Sequence, residues 1–229
     1  MIHVTWGLVV ACGRTEQIST EVDTPFLNLG SRPVLAYSLA AFEQCPDING
    51  VVVVVDKTRL DTVLGMSQMY GFAKVQKIVP GGVTRQTSVA SALKALDEEV
   101  SIVCIHDAAR PCVTPHLISE TVKAAKRYGS GVSAVPLSDA VKVVEKGLTI
   151  SESINGGTAW LAQTPQAFRR DLLEKGYTMA SKKKVSVEDD SSAVALTREE
   201  VHLVEGPSEN IKIRSPVDFT IAATMLKVS

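Results

Sequence analysis

Short apolar runs alternate with segments of helical periodicity along most of this chain. The clearest run is Val51–Val55, five valines bounded by Asn49-Gly50 and Asp56. An unbroken β-branched run of this length is typical of a strand buried on both faces of a sheet. Further apolar runs predict strands at Trp6–Val10, Val75–Val79, Ser101–Ile105, Gly131–Val135 and His202–Glu205.

Helical patterns fill the intervals between these strands. In the first interval Leu35, Leu39 and Phe42 recur at the spacing of one helix face. They follow Ser31-Arg32-Pro33, which is typical of an N-cap and a proline in the first turn. Further helices are predicted at Leu60–Met69, Arg85–Leu96, Pro115–Tyr128, Arg169–Ala180 and Asp190–Leu196, with a last helix from Pro216. Buried strands separated by helices indicate an α/β fold, with a mostly parallel sheet and helices on both faces.

The segment 138–163 departs from this alternation. Two extended stretches, Val141–Val144 and Leu148–Ile154, flank Glu145-Lys146-Gly147 and predict a β-hairpin. A hairpin inserted in a parallel fold serves either as an arm or as a cover for the site. Since neither a repeat nor a linker divides the chain, we expect one domain over 1–229 that carries this hairpin as an insertion.

Composition narrows the classes of function. The 229 residues include 24 Lys plus Arg and 25 Asp plus Glu, so no basic excess favours nucleic acid. No apolar run approaches the length of a transmembrane helix, and the first residues lack the pattern of a secretory signal. We therefore expect a cytoplasmic protein without a membrane or nucleic-acid partner. None of the four cysteines is in CxxC spacing, which disfavours a zinc site.

Two glycine-containing turns follow predicted strands, where open α/β sheets bind their ligands. The small residues of Ala11-Cys12-Gly13 would let backbone N–H groups approach an anion, although an ordinary turn has the same pattern. Gly81-Gly82 leads into a helix whose first turns hold Arg85 and Ser88. Free N–H groups at that helix start would favour an anion, and a plain capping turn is the alternative.

A carboxylate and an arginine follow the strand that ends at Ile105. Asp107 offers a hard oxygen ligand for Mg²⁺, which proteins hold with one or two carboxylates and the phosphates of a substrate. Arg110 would bind phosphate, or would form a purely structural pair with Asp107. Two later segments carry Thr164 and Lys212, which by themselves indicate only a tight turn and a surface lysine.

The chain carries four motifs whose order and spacing are collectively specific, GGVTRQTSV, HDAARP, AQTPQAF and ENIKI. With them it resembles the 2-C-methyl-D-erythritol 4-phosphate cytidylyltransferase family over 6–223. The resemblance implies a Rossmann-like nucleotidyltransferase fold and a homodimer whose hairpin arm, 138–163, exchanges between subunits. It also implies transfer of a cytidylyl group from CTP to a polyol phosphate, methylerythritol phosphate, with Mg²⁺ as cofactor and release of pyrophosphate.

The same resemblance implies roles for individual residues. Asp107 would serve Mg²⁺, while Thr164 and Lys212 would meet the methylerythritol phosphate. Arg14 and Lys212 would act in catalysis, where positioned cations neutralise developing phosphate charge. The CTP site would be lined by Ala11, Cys12, Gly13, Gly82, Ser88, Ala108 and Arg110.

The chain departs from the family at positions that carry charge. Gln17 and Thr24 stand where the family has an arginine and a lysine in its first loop, and Gly156 stands where it has an arginine. Arg14 would have to take over part of the missing charge. Two alternatives therefore stay open: a paralogue that binds a nucleotide or a partner without turnover, and a nucleotidyltransferase for another sugar phosphate.

Overall fold

The β-branched runs form the middle of one sheet in the computed structural model, which describes residues 3–12, 18 and 23–228. The strands are β1 (Val4–Ala11), β2 (Asn28–Leu29), β3 (Arg32–Pro33), β4 (Gly50–Val55), β5 (Val75–Pro80), β6 (Val100–Asp107), β7 (Ser130–Pro136), β8 (Val141–Val144), β9 (Ile150–Ile154), β10 (Trp160–Arg169) and β11 (Leu203–Glu205). The helices are α1 (Val34–Gln44), α2 (Leu60–Tyr70), α3 (Arg85–Lys94), α4 (Pro115–Tyr128), α5 (Arg170–Lys183), α6 (Asp190–Ala195) and α7 (Pro216–Leu226).

The central sheet has the strand order β11-β7-β10-β6-β1-β4-β5. Its neighbouring strands are parallel except at β10, which is antiparallel to both β6 and β7. All six residues of β4 are buried, as the valine run predicts. The predicted α/β class and the mostly parallel sheet are therefore confirmed, and β6 lies near the middle with its carboxyl end at Asp107.

Strand β10 was not predicted from the sequence. Its sequence, WLAQTPQAFR, has no continuous apolar run, and AQTPQAF by itself indicates a turn into a helix. Tertiary pairing with β6 and β7 nevertheless makes it a central strand. A register irregularity between Ala162 and Gln166 interrupts the pairing with β7. Such irregularities re-aim side chains, and this one lies where Gln163 and Thr164 enter the candidate site.

The predicted N-cap at Ser31 is wrong. Helix α1 starts at Val34 after Pro33, which makes no side-chain capping hydrogen bond. The preceding residues instead form the small antiparallel pair of β2 and β3. Because Pro33 has extended backbone angles and pairs with Asn28, the helix begins only after the strand pair ends.

Two hydrophobic layers cover the sheet, one on each face. Phe42 and Val53 belong to the layer that packs against α1 and α4, whereas Leu8 and Phe168 belong to the layer under α3 and α5. A smaller cluster that includes Ile213 packs against α7. The backbone N–H of Ile213 donates to the carbonyl of Ala109, 2.8 Å away. This cluster therefore fixes the segment that carries Lys212 next to the end of β6.

The predicted hairpin consists of β8 and β9, which pair antiparallel outside the central sheet. Several of its apolar side chains are exposed, with Val144 at 49%, Leu148 at 85% and Ile150 at 59%. In the described part of the chain, no helix has the length and apolar character needed to cross a membrane.

We expect Phe42→Ala to lower the free energy of unfolding by about 3–5 kcal/mol, because the ring is fully buried against the sheet. Met69→Ala is the control, because Met69 is 77% exposed on α2 and its truncation should change the free energy by at most about 0.5 kcal/mol. Urea denaturation measures both values. Equal effects of the two variants would contradict the assignment of Phe42 to the core.

Candidate functional site

One polar cleft of about 540 Å³ collects four of the residues that the sequence analysis selected. Asp107, Arg110, Thr164 and Lys212 all line it. They come from the end of β6, the turn after it, the irregular middle of β10 and the segment before α7. The fold therefore brings these four residues around one cleft.

Asp107 lies between two cations. Its Oδ2 is 2.8 Å from Nζ of Lys212, and its Oδ1 accepts a hydrogen bond from Nε of Arg85 at 3.1 Å. Burial opposes ionisation of this carboxyl group, but Arg85 and Lys212 outweigh it and hold the pKa of Asp107 well below its usual range. The side chain is therefore a carboxylate at neutral pH, and it ties α3 and the segment before α7 to β6.

The hydroxyl of Thr164 is committed to protein groups. Burial lowers the pKa of His106 to about 4, so its ring is neutral at pH 7. His106 Nε2 lies 3.2 Å from the carbonyl oxygen of Arg110, which only accepts, so Nε2 carries the proton. Nδ1 then accepts from the Thr164 hydroxyl at 3.1 Å, and that oxygen accepts from the N–H of Asp107 at 3.0 Å. Both ring nitrogens of His106 are thus occupied, and the chain of bonds orients Asp107.

Arg110 reaches the cleft from a largely buried position. Its Nη1 donates to the carbonyl of Asn210 at 2.8 Å, and Asn210 in turn donates to Gln163 and to the carbonyl of Thr164. Burial lowers the pKa of Arg110 to about 10, which leaves it charged at neutral pH. Its Nε has no hydrogen-bond partner within the described residues. The positive charge of Arg110 at the wall of the cleft suits a phosphate ligand.

Cys12, Gly82 and Ser88 form a second group next to the start of α3. The Ser88 hydroxyl accepts from the N–H of Gly82 at 3.0 Å and from the thiol of Cys12 at 3.3 Å, and it donates to the carbonyl of Thr84 at 2.8 Å. Since Ser88 is fully buried, it holds the glycine turn in place. Its own hydroxyl is occupied by protein groups.

The remaining predicted nucleotide residues fall into two groups. Ala11 and Ala108 are buried in the core, and the N–H of Ala108 donates to the carbonyl of Val10 at 2.9 Å. Their methyl groups therefore face protein atoms. Gly13 and Arg14 lie outside the described residues.

Thr24 and Gly156, which the resemblance sets against basic residues of the family, are both closely surrounded. Thr24 is fully buried beside the start of α1. A Cβ atom at Gly156 would lie 2.9 Å from the carbonyl oxygens of Leu137 and Asp139. A side chain at Gly156 would therefore need the backbone of Leu137 or Asp139 to shift, whereas a longer side chain at position 24 would have to displace the residues that cover Thr24.

Asp190 was not among the residues selected from the sequence, although the helix that it begins was predicted. This carboxylate is fully buried, with the Tyr177 hydroxyl 2.5 Å from Oδ1 and Nη2 of Arg85 2.7 Å from Oδ2. The acidic pair Asp189-Asp190 at a helix start was the available signal, and it also indicates simple N-capping. Asp189 does cap α6, and it also accepts a hydrogen bond from Gln166 in the cleft at 2.8 Å.

The described residues contain no group of three or more His, Cys, Asp or Glu side chains that could hold a metal ion. The carboxylate of Asp107 could still serve as a ligand of Mg²⁺. It accepts hydrogen bonds from only two protein donors, and a carboxylate has roughly four lone-pair positions. Phosphate oxygens and water commonly supply the other ligands of Mg²⁺. The site therefore fits a magnesium ion that arrives with a phosphorylated ligand.

Known proteins match this chain in sequence and in fold. The family model described as 2-C-methyl-D-erythritol 4-phosphate cytidylyltransferase matches residues 5–228. The chain belongs to this family.

Relatives match the chain over nearly its full length. The family members of Desulforamulus reducens and Pelotomaculum thermopropionicum are each 38% identical to it, and both alignments cover 96% of this chain, with 95% and 93% of the relatives. The solved 4-diphosphocytidyl-2C-methyl-D-erythritol synthase of Anaerococcus prevotii aligns with a TM-score of 0.86 at 25% identity, over 98% of this chain and 96% of that one. The resemblance inferred from the four motifs is thereby confirmed.

We expect Thr164→Val to lower the free energy of unfolding by about 1–3 kcal/mol and to reduce activity, because Asp107 and His106 both lose a hydrogen-bond partner. Thr164→Ser keeps the hydroxyl and should stay near the wild type in both properties. Chemical denaturation and steady-state kinetics measure them. A raised KM with unchanged stability would instead assign the hydroxyl to direct ligand binding.

Proposed function

We propose that this protein transfers the cytidylyl group of CTP to 2-C-methyl-D-erythritol 4-phosphate and releases pyrophosphate. The proposal rests on the cleft, which is lined by Asp107, Arg110 and Lys212 in a chain that belongs to this family. An enzyme of phosphoryl-group chemistry needs positioned positive charge more than it needs a nucleophile of its own.

The chemistry follows from this charge distribution. A phosphate oxygen of the polyol phosphate attacks the α-phosphorus of CTP, the bond from that phosphorus to the bridging oxygen breaks, and pyrophosphate leaves with the bonding electrons. Lys212 is partly exposed and turns from Asp107 towards phosphate oxygens, while Arg110 adds positive charge at the wall of the cleft. Asp107 would hold Mg²⁺, which supplies further neutralisation of triphosphate charge.

Charge on the walls of the cleft also suits a polyol phosphate. Lys212, Arg110 and Arg214 provide cations for the phosphate group, and Glu188 provides an acceptor for hydroxyl groups. Arg214 is exposed and lines the cleft although it belongs to none of the positions selected from the sequence. It supports phosphate binding in a chain that lacks a cation at Gly156.

The hairpin of β8 and β9 supports a homodimer. Val144, Leu148 and Ile150 form an exposed apolar set on a two-stranded element that the central sheet does not cover. An isolated hairpin is marginally stable in water, so burial against a second copy would stabilise it. Trp160 and Leu161, which follow the hairpin, are exposed and line the cleft. An arm from a second copy would therefore lie close to the site.

We expect Asp107→Asn and Lys212→Ala each to reduce pyrophosphate release from CTP and the polyol phosphate by at least about a hundredfold, because each removes a positioned charge. Asp171→Asn and Lys123→Ala are matched controls, since both side chains are exposed and form ion pairs away from the cleft. Circular dichroism would confirm that all four variants are folded.

Two outcomes would contradict the proposed function. Unchanged turnover in both site variants would remove the site assignment. No turnover by the wild type, beside an active family member, would favour a paralogue that binds a nucleotide without reaction.

Sedimentation velocity tests the arm. The double variant Leu148→Glu/Ile150→Glu should shift the protein from dimer towards monomer, because it places charges on the exposed apolar set of the hairpin. Met69→Glu adds charge at an exposed apolar position on α2 and should leave the association unchanged. A wild type that sediments as a monomer would overturn the dimer proposal.

A further inference from the structure

Asp190 lies behind the cleft and is fully buried at the start of α6. Its Oδ1 accepts the hydroxyl of Tyr177 at 2.5 Å, and its Oδ2 lies 2.7 Å from Nη2 of Arg85. Tyr177 is itself buried on α5. A carboxylate removed from water needs hydrogen-bond or ion-pair partners of this kind. The contact therefore ties α3, α5 and α6 together through charge.

Arg85 extends from this buried contact to the cleft. Its Nε donates to Oδ1 of Asp107 at 3.1 Å, so that one guanidinium bridges two carboxylates. Burial opposes the charge of Arg85, but Asp190 and Asp107 outweigh it and hold the pKa of Arg85 well above its usual value. A planar guanidinium suits such bridging, whereas the point charge of a lysine does not. The guanidinium of Arg85 is therefore held by two carboxylates, Asp107 at Nε and Asp190 at Nη2.

Lys212 has no comparable anchor. Its Nζ contacts Oδ2 of Asp107 at 2.8 Å, and Asp107 is the only carboxylate within ion-pair distance of it among the described residues. It lines the open cleft on a flexible four-carbon stem. An anionic ligand would draw Lys212 away from Asp107 and would leave Arg85 in place.

We propose that Asp190 is a positioning residue, which anchors Arg85 with the help of Tyr177 so that Asp107 keeps its orientation when Lys212 turns to a substrate phosphate. The movement of Lys212 to a substrate phosphate rests on the proposed function. The contacts of Asp190 with Arg85 and Tyr177, which form the anchor, exist in the fold without any ligand. Without the charge of Asp190, the guanidinium of Arg85 would turn fully onto Asp107 and would pull it from Lys212.

Tyr177→Phe is the mildest test, because it keeps the ring in the core and removes one hydrogen bond to Asp190. We expect kcat to fall about tenfold, the loss for one hydrogen bond to a charged group, while the KM for CTP stays unchanged. The matched control is Tyr37→Phe, which removes a hydroxyl that donates to the carbonyl of Leu29 at 2.6 Å. Both variants should melt at a lower temperature, and only Tyr177→Phe should lose kcat.

If Tyr177 had only a structural role, both variants would melt at a lower temperature and neither would lose kcat. That result would overturn the proposal. A rise in the KM for CTP at constant kcat would overturn it as well, since it would place the effect in nucleotide binding.

A double variant tests whether Tyr177 acts through Asp190. In an Asp190→Asn background the anchor is already lost, so adding Tyr177→Phe should cause no further loss of kcat. If the loss of kcat in the double variant equals the product of the two single losses, Tyr177 and Asp190 act independently. That result would contradict the proposal that Tyr177 acts through Asp190.

A crystal structure of the Asp190→Asn variant tests the anchor without any turnover. We expect the carboxylate of Asp107 to be turned onto Arg85, with its contact to Lys212 broken. An unchanged contact would overturn the proposal whatever the activity. A turned carboxylate in a protein whose wild type releases no pyrophosphate would support the anchor and contradict only the proposed function. If Asp190→Asn does not fold, Tyr177→Phe crystals show whether Arg85 keeps its contacts with Asp190 and Asp107 once the Tyr177 hydroxyl is gone. Unchanged contacts would overturn the role of Tyr177 in the anchor.

Discussion

The site depends on one ionised carboxylate, Asp107, at the carboxyl end of the central strand β6. It is largely buried, so its charge requires partners, and Arg85 and Lys212 provide them from two different elements. This pairing brings the start of α3 and the segment before α7 to the same point of the sheet. The shape of the cleft, its charge and the orientation of the acidic group all follow from that arrangement.

The neutral hydrogen-bond network on the other side of Asp107 complements this ion pairing. His106, Thr164 and the carbonyl of Arg110 form a chain of bonds whose donors and acceptors are all used. Asn210 connects the same region to Gln163 through its amide. These hydrogen bonds hold their members in one arrangement, which is what a site for phosphoryl-group transfer needs.

Thr24 and Gly156, where the resemblance implies basic residues in the family, are both enclosed by the fold. Thr24 is buried and Gly156 is closely approached by backbone oxygens, so the chain has packed around the smaller residues. The cations that the described residues bring to the cleft are Arg85, Arg110, Lys212 and Arg214. Since Asp190 and Asp107 both pair with Arg85, positive charge for a ligand comes from the other three.

The alternation of strands and helices, the hairpin and the residues at the strand ends could be predicted from the amino-acid sequence, because periodicity and β-branched runs are local properties. The family could be predicted as well, through motifs whose spacing no single element explains. Strand β10, WLAQTPQAFR, could not be predicted, since its pairing with β6 and β7 in the folded sheet outweighs its weak local pattern. The contact between Asp190 and Arg85 could not be predicted either, because a buried ion pair joins residues far apart in the chain, and neither side chain carries a local sign of its partner.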